Sequence, residues 1–141
     1  LGAAQEHAAA SGYVGVGGRR PALFPSTASM LDGHATSSAF ESWVKDYVGL
    51  GAALAVYEAA SAAADPSFTR DEAWPLLRAV AEWVVARGSY TPRGFEFGPS
   101  MNRDESMALV VDASFLTLCA MRTLEVRRSS RRAALRTSPP A

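Results

Sequence analysis

The sequence predicts an all-helical chain with one long loop and a short β element, and three observations carry that expectation. Large apolar residues recur at helical spacing in three separate stretches. Helix-starting and helix-stopping residues flank those stretches. Glycine and proline gather in two connections, residues 12–33 and 88–104.

Residues 1–11 are alanine-rich and tolerate a helix, but they show no apolar stripe. Residues 12–33 read as loop, with a short extended piece around Ala22 to Phe24. The first clear helix has plausible caps at Thr36 to Ser38. Its face is Phe40, Trp43, Tyr47, Leu50, Leu54 and Tyr57. It is expected to stop by Asp65-Pro66, because a residue preceding proline avoids the helical region. Gly49 and Gly51 weaken it by about 1 kcal/mol each relative to alanine. Their expected use is the close approach of another backbone or a ligand.

A second helix starts at Thr69-Arg70-Asp71-Glu72, which fits a capping box. Pro75 then lies in the first turn. Trp74, Leu77, Val80, Ala81 and Val84 form the stripe, with Trp83 beside it, and Gly88 is expected to close the helix at C′. Within the connection 88–104, Gly94 to Phe97 alternate as a short strand would. A third helix, roughly Met107 to Val126, is apolar nearly all round and expects neighbours on several sides. Three helices of this kind look under-partnered, so the chain reads as part of something larger.

The 141 residues allow one ordinary domain. Hydrophobic residues make up 48%, enough for a packed core. The 14 basic and 14 acidic residues cancel formally, but five arginines (127, 128, 131, 132 and 136) lie in the tail. The body keeps nine basic residues against 14 acidic ones, a formal charge of −5. That balance is not the footprint of a nucleic-acid binder and is compatible with a carbohydrate or other small molecule. Residues 127–141 read as a basic disordered tail. The single cysteine, Cys119, excludes an intrachain disulfide and a cysteine-based zinc site, and its apolar setting predicts core filler. No apolar run is long enough to cross a bilayer, and no signal peptide is visible. The compartment stays open, with the cytoplasm the leading expectation. No membrane partner, cofactor or metal is expected, and the oligomeric state is left open.

Chemistry concentrates at Met101-Asn102-Arg103-Asp104-Glu105-Ser106, two adjacent carboxylates between a glycine-rich connection and an apolar helix. A carboxylic acid in a partly apolar pocket has a raised pKa and can protonate a leaving-group oxygen near neutral pH. The competing reading is local, with Asp104 as the helix cap and Glu105 favouring the positive first turn. His7 and His34 fall in unrelated segments with no metal or triad spacing, and Gly15-Val16-Gly17-Gly18 lacks the strand-to-helix setting of a nucleotide loop.

Several stretches, in order, resemble the catalytic domain of glycoside hydrolase family 65. Pro21-Ala22-Leu23-Phe24-Pro25-Ser26 is similar to that family's A-R-F-P-W segment. Residues Asp71 to Arg87 resemble its helix ending in W-x-x-S-R. Met101 to Glu105 fall where the family has G-P-D-E-Y, and Asp112 to Thr117 where it has D-N-x-x-Y-T-N. The likeness covers residues 20–126 and implies a partial α/α toroid, a piece of a six-hairpin ring around a sugar-binding cavity. It divides the chain into a flexible segment 1–19, a partial catalytic domain 20–126 and the tail.

The resemblance also implies an inverting enzyme acting on α-glucosyl disaccharides or glycans, with a carbohydrate as its partner. Glu105 becomes the general acid and Asp104 its neighbour in the pocket wall, while the rings of Trp43 and Phe24, able to stack on a sugar, make them candidate substrate-binding residues. Trp83 is a further aromatic that can stack on a sugar, although each of these aromatics also suits a core. An inverting reaction needs a base about 6.5–9.5 Å from the acid. That second carboxylate has no counterpart in these residues, so the chain alone is expected to be inactive. The family's alternative chemistry is phosphorolysis. A helical interaction module is the non-enzymatic alternative. The sequence departs from the pattern at Arg103, Ser106, Ala113 and Leu118, and again at Tyr47 and Gly51, which leaves the substrate open.

Overall fold

The computed structural model describes residues 1–36, 45, 47–101 and 117–126. Helix α1 is Gly2–Ala10, a short 3-10 turn follows at Val16–Gly18, and α2 is Tyr47–Ala63. One α-turn, Pro66–Phe68, and a π-turn, Thr69–Ala73, lead into α3, Trp74–Arg87. Strands β1, Gly88–Thr91, and β2, Gly94–Phe97, form an antiparallel hairpin, and residues 117–126 are helical, here α4. The all-helical class holds, with the hairpin as the short β element.

Helix α3 is the centre of the molecule. Leu77 and every residue from Ala79 to Val84 are buried, so the expected stripe has become an enclosed helix. A strap at 21–25 covers one side. Ala22 donates its N–H to the Ala79 carbonyl at 2.9 Å, and Leu23 donates to Ala4 on α1 at 3.0 Å. Both strap residues are fully buried, with Pro21 and Pro25 buried beside them. The two prolines suit this position because neither has an N–H that must be paired in the interior.

Helix α1 is amphipathic only in the weakest sense. Ala4 and Ala8, one turn apart, go into the same core as Leu23, Leu50 and Val80. Residues 1–19 therefore include an element of the core. The contrast between alanine and its neighbours is too small to write a stripe. The loop 27–36 lies against α1, with Gly33 close to Ala3 and His34 Nδ1 3.9 Å from Glu6 Oε2. The two histidine segments, unrelated in sequence, are thus neighbours.

Helix α2 ends before Asp65-Pro66 as expected, and it presents Leu50 and Ala53 to α3. Phe40 and Trp43, and the caps at Ser37 and Ser38, lie outside the described residues. A side chain at Gly49 would meet the Phe24 backbone at 3.7 Å and Trp83 at 3.9 Å, ordinary contact distances. Gly51 faces open space. The glycines permit a close neighbour only at Gly49.

The entry to α3 corrects the capping box. Asp65 is the cap: its side chain accepts from the N–H groups of Ser67 and Phe68, and Pro66 opens the turn. Thr69 is already helical, and its hydroxyl donates to the Asp65 carbonyl. Pro75 therefore lies well inside a continuous helical path, where its ring would clash with a regular preceding turn. The π-turn resolves this, with Trp74 N–H donating to the Thr69 carbonyl five residues back.

Gly88 is also not the expected left-handed cap, for its φ is −91° and its backbone is extended. Its reason is space, because a Cβ there would clash with the edge of the Phe95 ring at Cζ. The left-handed position falls instead at Gly94, φ 123°, after the two-residue turn Pro92-Arg93. Helix α4 buries Ala120, Thr123 and Val126, three residues apart on one face, and exposes Leu118 and Met121. Its Arg122 guanidinium stands 6.0 Å from the Tyr57 ring of α2.

Candidate functional site

Of the residues that the sequence singles out, Glu105, Asp104 and Trp43 lie outside the described residues. Phe24 is half-buried in the strap and packs against the core cluster. Trp83 is fully buried. Its ring meets Tyr13 edge-on at 6.3 Å and Phe97 edge-on at 5.9 Å, which makes it a core residue.

What the structure does describe is the approach to the acidic pair. Arg87, the last residue of α3, places its guanidinium 5.7 Å from the Phe97 ring centre and donates from Nη2 to the Pro99 carbonyl. Gly98 leaves room for it, since a side chain there would press on Nη1. Ser100 is buried, and its hydroxyl donates to the Gly98 carbonyl at 3.2 Å. One arginine thus holds the end of α3 to the turn 98–100, immediately before residues 101–105. The hairpin ahead of it is stiffened by Glu96. That carboxylate accepts from Thr91 Oγ1 at 2.8 Å and from Arg93 at 2.7 Å, and both contacts lower its pKa, Thr91 the more.

Sequence reasoning missed Glu82. It is the buried carboxylate among the described residues, 3% exposed, and Arg19 Nη1 donates to its Oε1 at 2.8 Å. The two lie 63 positions apart. Glu82 sits next to Trp83 on what reads as a plain helix face, and only the strap's path reveals its partner. Beside this pair opens a cleft of about 180 Å³ lined by Leu1, Gln5, Arg19, Arg20, Pro75, Arg78, Ala79 and Glu82.

Burial lowers the His7 pKa. It raises that of Cys119, which keeps the thiol protonated at neutral pH and suits core filler. Among the described residues no group of histidine, cysteine, aspartate or glutamate is placed to hold a metal ion, and no helix is long and apolar enough to cross a membrane.

No family model matches the chain, and no curated relative does. The fold does match solved structures. One, described as "Putative kojibiose phosphorylase from human microbiome", superposes with a TM-score of 0.77 over 92% of this chain at 18% identity. The chain spans 18% of that structure's length. The described architecture is therefore a partial α/α toroid.

Proposed function

We propose that this chain is part of an inverting glycoside-cleaving enzyme related to glycoside hydrolase family 65, with Glu105 as its general acid. The observation that carries the reading is the coincidence of two independent likenesses. The fold of 92% of the chain is that of a sugar-phosphorylase-like structure, and the order of the quoted stretches puts Asp104-Glu105 at that family's acidic motif. The turn held by Arg87 supports it, since a general acid needs a backbone fixed relative to its substrate.

In the proposed reaction Glu105 protonates the leaving-group oxygen while a water attacks the opposite face of the sugar. The base that activates the water would come from outside these residues, so the isolated chain is proposed to be inactive. Asp104, Trp43 and Phe24 are proposed to line the sugar site.

The second reading is phosphorolysis, in which inorganic phosphate replaces water. The description of the matched structure favours it. An anomer-resolved NMR assay decides between the two. The longest natural protein containing this chain is given α-glucosyl disaccharides with and without phosphate. Release of β-glucose without phosphate supports hydrolysis, and phosphate-dependent β-glucose 1-phosphate supports phosphorolysis. Glu105→Gln is expected to lower turnover at least about 100-fold. Near-normal turnover in that variant removes the assignment.

A further inference from the structure

The cleft between α1, the strap and α3 has a charge pattern that the glycosidase reading does not use. Three arginines, Arg19, Arg20 and Arg78, line it against one carboxylate, Glu82. Arg19 is committed to Glu82 at 2.8 Å. Arg20 and Arg78 make no ion pair or side-chain hydrogen bond among the described residues. Both are nevertheless carried on fixed backbone. Gln5 Nε2 donates to the Arg20 carbonyl at 3.2 Å, and Arg78 precedes Ala79, whose carbonyl holds the strap at 2.9 Å.

Two arginines thus line one concave surface whose arginine and glutamate side chains sum to +2, and each carries planar paired donors that have no side-chain partner among the described residues. That geometry suits an oxyanion, which can take parallel N–H bonds from both. We propose that this cleft binds a phosphate group, free or esterified to a small molecule, through Arg20 and Arg78. Arg19 neutralises the buried Glu82, so the carboxylate at the cleft does not cancel the attraction. The proposal is independent of the glycosidase reading and of Glu105.

The test is site-resolved NMR of arginine Nε–Hε groups in the 141-residue chain at low ionic strength. Inorganic phosphate and glucose 6-phosphate are titrated separately, with glucose as the uncharged comparison. Saturable shifts at Arg20 and Arg78, absent with glucose, are expected. R20Q and R78Q are each expected to weaken binding about tenfold. Equal affinity for the two anions assigns the cleft to free phosphate, and tighter glucose 6-phosphate assigns it to a phosphate ester. Shifts confined to Arg127, Arg128, Arg131, Arg132 and Arg136 overturn the proposal, as does unchanged affinity in both variants. A variant that loses its native spectrum is replaced by R20K or R78K, which keeps the charge but loses the paired donors and is expected to bind more weakly.

Discussion

Gly88 shows how a residue's reason can differ from its sequence signature. Its backbone is extended, so alanine is allowed there on conformational grounds, yet the Phe95 ring occupies the space of a Cβ. Gly88→Ala is expected to destabilise the chain by about 1–3 kcal/mol through overpacking, measured by chemical denaturation. Phe95→Leu in the same chain should recover part of that loss, whereas a backbone cause would leave it unchanged. The Arg19–Glu82 pair is the other instructive case. Arg19→Met leaves a buried carboxylate short of a charged donor and is expected to cost about 1.5–3 kcal/mol. Adding Glu82→Met should return part of that stability, because the buried carboxylate that lost Arg19 is gone. A double variant no more stable than the single one would mean that the pair is not what Arg19 supplies.

At the scale of elements, the helical path into α3 depends on Asp65. Its pKa is lowered, first by the Ser67 side chain and then by the Ser67 and Phe68 N–H groups. A carboxylate held below its unfolded value adds stability that is present above the ordinary aspartate range and is lost as pH falls through the folded value. Thermal melts on acidification should therefore show a loss that Asp65→Asn reduces. Asp71, Asp32 and Glu96 also have lowered pKa values and contribute to the same acid limb, so the difference between the two proteins is the quantity to read. Identical acid limbs would remove Asp65 from the account.

This element was half legible. The apolar stripe and the Asp65-Pro66 stop are local signals, and both were readable. The threonine box lost because Asp65, legible only as a stop, caps a turn that starts with Pro66 ahead of it. The core role of α1 was not legible, since an alanine face carries no periodic contrast. The burial of Ala22 and Leu23 is set by partners at Ala79 and Ala4 rather than by neighbours in sequence. Of the candidate site, the approach through Gly94 to Phe97 was readable as a strand, but the Arg87 clamp was not, because it joins side chain to backbone across a hairpin.

The molecule as a whole keeps several large apolar side chains in solvent. Leu118 and Met121 stand one turn apart on α4 at 63% and 53% exposure, and Met30 and Leu31 are fully exposed together. Contiguous apolar surface of this kind binds hydrophobic dyes even when the fold is intact. The isolated chain is expected to bind such a dye in its native state, and Leu118→Gln with Met121→Gln should reduce the signal. An unchanged signal would place the dye elsewhere.

The strap has a consequence for how the chain is made. Ala22 waits for Ala79, a partner synthesised 57 residues later, and ribosomes add about 5–20 residues each second. For several seconds, then, Ala22 and Leu23 are outside the ribosome before the α3 side of their pocket exists. Helix α1, which docks through Leu23, is left waiting with them. The strap therefore closes over the core only once α3 has been made, and until then Ala22 and Leu23 are apolar surface that a chaperone can hold.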